Sequence, residues 1–220
     1  MADEKMRGTS SKSEMIMKIV RPEWSREISM KGWSMGTEKS LTLITSPARD
    51  RGTVFLKREK EIWNWQPSID RMIKLPPSMM MQSWMGSDFT NDDLVRESSI
   101  VHDYDHALGA DTTIASLPSY KIILTPHEDA PVVWGEIITY VSKSDLLQLL
   151  TYYYDEDGYL INTLLFSEIK ELGGRVIPTR LEMYPNDEQG NSTVIVYQNI
   201  AFDIDIKDSF FSIQNAKRIR

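Results

Sequence analysis

The chain has no cysteine and only three histidines in 220 residues. Zero cysteine removes thiol nucleophiles, cysteine-ligated zinc and disulfides together. It leaves the compartment open, since periplasmic proteins often dispense with disulfides just as cytosolic ones do. Long apolar runs are also missing, and no stretch of about 18 apolar residues offers a membrane-spanning helix. Met1 to Ser13 is polar and has no h-region, so no signal peptide is read in this sequence, although a removed one is compatible with it. Basic charge is in deficit, with 25 Lys+Arg against 32 Asp+Glu and a formal net charge of −7. Non-specific nucleic-acid binding needs the opposite balance, so nucleic acid is not an expected partner.

Catalytic signatures are missing as well. There is no G-x-S-x-G, no G-x-x-x-x-G-K-[ST] and no G-x-G-x-x-G. The cluster His102-Asp103-Tyr104-Asp105-His106 would suit a metal if it lay on a helix. No H-E-x-x-H or third matched ligand accompanies it, so an exposed connecting segment is the preferred reading. Asp155-Glu156-Asp157 lacks the further oxygen ligands of a calcium loop and reads as a hairpin turn. A glycosidase pair is defined by carboxylate separation, which a sequence does not give, and nothing selects a pair here. A hydrolase of envelope lipids or glycans would need a convergent Asp/Glu or Ser/His set. The expectation is a protein that is not an enzyme, with no metal and no cofactor.

What is present is a folding chain, 41% apolar and 26% charged, too apolar for disorder. After a polar lead it becomes a succession of short runs rich in β-branched and aromatic residues, punctuated by Pro, Gly, Asn and Asp. Strands are predicted at 13–21, 25–35, 39–46, 51–59, 61–66, 69–74, 119–125, 132–142, 147–155, 158–169, 174–184 and 192–204. Met15, Met17 and Ile19 alternate onto one face, as do Tyr120, Ile122 and Leu124. The turns at Asp155 to Gly158, Gly173-Gly174 and Asn186 to Gly190 carry residues that tolerate positive φ. The pattern is an antiparallel meander in one domain, 1–220, with 1–12 expected to be disordered or a truncated lead.

The rhythm breaks between Pro76 and about Ser116. Pro76-Pro77 suits a helix start, Gly86 a helix end, and Thr90 or Asn91 a cap for a second short helix through Leu94. Of the 12 Met and 6 Trp, five fall between Met79 and Met85. Met79, Met80, Met81, Trp84, Met85 and Phe89 are more apolar surface than one short turn can hide. Methionine repacks around irregular shapes, acyl chains among them. Such a segment can be core, a ligand-binding lid, or both. Trp63 and Trp65 share one strand face, and Trp134 lies with Ile138 and Tyr140 on another. These aromatics, with Ile122 and Leu124, are candidate cavity lining.

The run Met80-Met81-Gln82-Ser83-Trp84-Met85-Gly86-Ser87-Asp88-Phe89-Thr90, followed by Asp92-Asp93-Leu94, resembles the LolA-like outer-membrane lipoprotein-sorting family of bacteria, in the branch with a QSWMGSDFT-like segment. Further pieces agree in order: Ser46-Pro47 with Gly52, Trp63-Asn64-Trp65-Gln66-Pro67, Gly173-Gly174-Arg175 with Pro178-Thr179-Arg180, and Asn199 to Asp203. The resemblance runs from about Ser13 to the end. It implies a mainly β protein, a strongly curved antiparallel sheet forming an unclosed β-barrel with short helices as a lid over the concave face. It further implies a monomeric periplasmic carrier, its signal peptide removed. Such a carrier takes lipoprotein acyl chains or another lipid from an inner-membrane transporter to an outer-membrane acceptor. The lid would be formed by Met79, Met80, Met81, Trp84, Met85 and Phe89. Members of the family usually begin with a helix, and Met1 to Lys12 is short and polar, so that half of the lid is expected to be missing or truncated. The alternative is a non-enzymatic envelope module that holds a protein or peptide on the same sheet.

Overall fold

The computed structural model describes residues 2–59, 61–95, 99–128, 130 and 132–220. Two-residue alternation becomes 14 antiparallel strands in one sheet: β1 (Ser10–Val20), β2 (Ser25–Met35), β3 (Lys39–Ser46), β4 (Val54–Arg58), β5 (Glu61–Gln66), β6 (Arg71–Lys74), β7 (Tyr104–Leu108), β8 (Thr112–Ile114), β9 (Leu117–Pro126), β10 (Glu136–Ser142), β11 (Gln148–Tyr154), β12 (Leu160–Leu172), β13 (Arg175–Pro185) and β14 (Ser192–Phe202). The order is β6-β5-β4-β3-β2-β1-β14-β13-β12-β11-β10-β9-β7, with β8 on β9. Chain neighbours therefore pair along each half, and β1 joins β14 in the middle. The terminal strands β6 and β7 do not pair, so the barrel stays unclosed.

Twist and curvature come from the strands themselves and from bulges. The register slips between Glu14 and Met15 on β1 and between Tyr140 and Val141 on β10. The turn from β12 to β13 must be glycine. Gly173 has φ +61°, and a Cβ there would stand 2.5 Å from the Ile200 carbonyl oxygen.

The expected strands 51–59, 69–74 and 132–142 are shorter than their apolar patterns, while β7 and β8 lie inside the stretch where no strand was expected. The reason is exposure: β7 buries only Tyr104, and Leu108 is 74% exposed. An edge strand without a core face has no alternation to read.

The lead also departs from expectation. Residues Ala2–Arg7 form a short helix, α1, and Ser10 to Lys12 already belong to β1. Tertiary contacts order it despite its polarity. Asp203 accepts from the backbone N–H and hydroxyl of Thr9, both at 2.9 Å. Arg175 donates to the carbonyls of Glu4 and Lys5, and Lys5 Nζ to the Asp145 carbonyl at 2.7 Å.

Both faces of the sheet are buried along β2 to β5. The inner face carries the main core, with Met17, Ile28, Met30 and Ile44 packed against Trp84 and Phe89. The outer face carries a second core of Leu41, Leu43, Val54, Leu56 and Trp65. It is covered by the C-terminal segment, with a turn at Asp208–Phe210 and the short helix α2 of the tail at Ile213–Ala216. Phe211 and Ala216 are fully buried there.

Candidate functional site

The Met-Trp segment folds as a loop tied back on itself. A turn over Pro77–Met79 is followed by a second over Trp84–Gly86, where Met85 (φ 53°) and Gly86 (φ 81°) are both left-handed. Trp84 N–H donates to Phe89 O at 2.8 Å, and the Ser87 hydroxyl to Trp84 O at 2.7 Å. This closure sends Trp84 and Phe89 inward and Asp88 toward β1. Thr90 and Asp93 form a capping box at the start of the helix Asn91–Val95. Asp93 N donates to Thr90 Oγ1 at 3.0 Å, and Thr90 N donates to Asp93 Oδ2 at 2.8 Å. The Asn91 side-chain amide donates to the carbonyls of Met79 and Gln82, binding the two turns together.

An arginine holds this loop to the sheet. Arg21, just past β1, donates to Asp88 with both guanidinium nitrogens (3.1 and 2.9 Å) and to Gly86 O at 3.1 Å. Thr193 of β14 donates its hydroxyl to the same carboxylate at 2.6 Å and accepts from Asp88 N at 3.0 Å. The Asp88 side chain is 5% exposed, so the pair works at low dielectric, where a two-pronged bond is strong.

Between this loop and the sheet lies a cavity of about 520 Å³, within the usual range for ligand pockets. Strands from both ends of the sheet line it, so the sheet curves around it. At the loop end its wall is apolar: Trp84, Phe89, Tyr104, Leu124, Trp134 and Ile137, with Phe55 stacked 5.0 Å from Trp84 and Tyr153 5.1 Å from Trp134. The opposite end, where α1 lies, is lined by Ser11, Ser13, Ser34, Ser40, Thr42 and Lys57. Gly32 sits in that wall, because a Cβ there would meet Ser13 Oγ at 2.9 Å.

The expected lid residues are divided by this geometry. Trp84 and Phe89 line the cavity. Met85 packs against the same core from outside the lining, Met80 packs with Ile62 and Leu75, Met79 is half-buried, and Met81 is 60% exposed. Among the expected lining residues, Ile122, Leu124 and Trp134 reach the cavity. Ile138 and Tyr140 do not, since Ile137, Thr139 and Val141 are the inward set on β10. Trp63 and Trp65 belong to the outer face: Trp65 is buried against Phe211, with Lys217 Nζ 5.4 Å from its ring centroid. Period two identifies two faces but does not say which is concave. The serine-rich wall and Lys57 were missed, and the alternation of Ser11, Ser13 and Met15 along one strand was the available signal.

The electrostatics of the loop end follow from burial. Desolvation holds the Asp93 carboxyl above the ordinary carboxylate range, against bonds from Thr90 and from Trp134 Nε1 (3.0 Å) that favour the charged form. Tyr104 is pushed up by burial first and by the nearby Asp92, Asp93 and Asp103 charges second. The histidines are apart in function: His106 Nε2 lies 2.9 Å from Ile100 O, and His127 lies 3.3 Å from Asp105. His102 ends a helical turn and His106 is on β7, so the pair does not share a helix. Among the described residues no three His, Asp or Glu side chains are grouped as metal ligands, and no helix is long and apolar enough to cross a membrane.

A family model described as "Uncharacterized protein" matches residues 36–218. No curated protein matches the sequence. Among solved structures, a DUF1329 family protein from Desulfovibrio piger is 25% identical with a TM-score of 0.88, covering 97% of this chain and 93% of that one. An outer membrane lipoprotein-sorting protein domain from Vibrio parahaemolyticus is 20% identical with a TM-score of 0.85, over 98% and 95% of the two chains. A LolA superfamily protein from Nitrosomonas europaea is 23% identical with a TM-score of 0.83, over 97% and 94%. The fold is therefore LolA-like, one antiparallel sheet not closed into a barrel.

Proposed function

Since the chain belongs to the family of uncharacterized proteins whose model spans residues 36–218, and its fold is LolA-like, we propose that it is a periplasmic carrier that shelters lipoprotein acyl chains or another lipid between inner and outer membranes. The observation that carries this reading is the 520 Å³ cavity with an aromatic and aliphatic inner end beneath a tied loop. An acyl chain gains about 0.8 kcal/mol per CH₂ taken out of water, so it needs such a shelter to cross an aqueous space. The lipoprotein-sorting domain among its structural neighbours supports the same use. Trp84 and Phe89 form the roof and Ile122, Leu124 and Trp134 part of the wall, while Met79, Met80, Met81 and Met85 adapt the loop around the chain. Release follows when the roof side chains refill the space the ligand leaves. Loading from an inner-membrane transporter and delivery to an outer-membrane acceptor complete the role, and no catalytic step is assigned.

Native mass spectrometry of protein purified from its own envelope tests this. A bound mass that matches an acylated species is expected. A wall variant, Leu181→Trp, fills the cavity and should lose that mass while remaining folded. Protein that carries nothing and does not take up the neutral apolar dye N-phenylnaphthylamine would return the cavity to the alternative of holding a peptide.

A further inference from the structure

The cavity is not uniformly greasy, and its two ends differ in kind. Beneath the loop it is aromatic and aliphatic. At the α1 end, β1 to β4 present a wall of hydroxyls, with the Ser11 and Ser34 side chains 2.8 Å apart. Lys57 stands in that wall, 6% exposed, and donates one N–H to Thr37 O at 2.7 Å. Lys39 and Arg7 complete the rim. Lys39 is paired with Asp208. The only carboxylates in the lining, Asp92 and Asp93, belong to the loop end, where Asp93 holds Trp134. Positive charge and hydroxyls thus gather at one pole, and apolar surface at the other. A purely hydrocarbon ligand would gain nothing from the first pole, and burying a lysine is costly unless charge or hydrogen bonds answer it.

We infer that this carrier takes an amphiphile with an anionic head, oriented so that its chain lies under Trp84 and Phe89 and its carboxylate or phosphate meets Lys57 and the serine wall beside α1. This rests on the carrier reading and adds the class and the direction of the ligand. The lysine ammonium has three donors, and charge-assisted bonds from it and from the hydroxyls would discriminate an anionic head from a neutral one. The helix α1 lies across this pole, tied by Lys5 to the β10–β11 turn and by Arg175 to β13, so the head would sit at the opening it covers.

The test is displacement of N-phenylnaphthylamine from the purified protein by chains of one length: hexadecanoate, hexadecanol and hexadecyltrimethylammonium, with inorganic phosphate as the headless anion. Hexadecanoate should displace the dye about tenfold better than hexadecanol, and the cation worse than either. Lys57→Met should bring hexadecanoate and hexadecanol to within about twofold without changing dye affinity, and Lys57→Arg should keep the preference. Equal displacement by hexadecanoate and hexadecanol in the unaltered protein overturns the inference while leaving the carrier reading in place, and needs no variant. Displacement of the dye by phosphate alone points to a free-anion site and also overturns it. If the dye never binds and no chain competes, both readings fall.

Discussion

Two stretches without strand structure dock on the β2 to β5 half of the sheet, one on each face, and they are held by opposite means. The outer one, the C-terminal tail, is held by burial: Phe211 is fully enclosed among Leu41, Leu43, Val54 and Leu56, with no cavity of the inner kind left over. The inner one, from Pro76 to His102, buries Trp84 and Phe89 but leaves about 520 Å³ beneath them. Its anchorage is polar and directional, through Arg21, Asp88 and Thr193. Dispersion and apolar burial cannot be exchanged for water without loss, whereas hydrogen bonds can be replaced by bonds to water at a modest net cost. The tail is therefore core, and the loop is a part that the fold permits to leave.

The largest effect that tests the contrast is on the tail. Phe211→Ala should cost about 3–5 kcal/mol of global stability, seen in denaturant melts, because it empties a site closed on all sides. Dye binding per folded molecule should not change. If it fell together with stability, the two faces would not be independent.

Arg21→Ala should cost about 2–3 kcal/mol, the worth of bonds to a charged partner, and the loss should be local. Hydrogen exchange should rise in residues 84–93 and not in 208–216. Uniform acceleration over both segments would erase the distinction. Thr90→Ala removes half of the capping box and should cost about 1 kcal/mol, loosening the same loop more weakly. Its exchange profile should follow that of Arg21→Ala at smaller amplitude.

The smallest effect is a pH dependence confined to the loop. Burial raises the Asp93 carboxyl in the folded protein, so between the ordinary carboxylate range and that raised value the folded state binds more protons than the unfolded. Stability from this group is then fully present at low pH and is lost as pH rises through the raised value. Comparing the protein with Asp93→Asn, the difference in unfolding free energy should move in favour of aspartate as pH falls from neutrality. The Phe211 site should show no such slope.

What could be read from the residues divides along similar lines. Strands with a buried face, such as 13–21 and 192–204, announced themselves by alternation. The hairpins at Asp155 to Gly158 and Gly173-Gly174 did so by residues that accept positive φ. The QSWMGSDFT segment was singled out by its concentration of Met and Trp and by resemblance. Three things were not legible. β7 and β8 are edge elements with little burial, so no pattern marks them. The inward set on β10 follows Gly135 and a bulge, which shift the parity that Trp134 suggested. Trp63 and Trp65 are as apolar as any cavity wall, yet the tail covers their face, and a docking of that kind is decided by long-range packing. The hydroxyl wall was overlooked because serine in a strand looks like a solvent face unless the strand is known to curl.

A closed barrel has its radius set by strand number and stagger, as a hoop has its girth set by its staves. Here β6 and β7 stand at the two ends of a sheet that never meets itself. Widening the interior breaks no ladder bond, since no bond joins those edges, and the motion is one of bending alone. The internal bore is thus an adjustable quantity. One backbone can grip a single chain or part around several, and the limit is how far Arg21 lets the loop travel before it gives way.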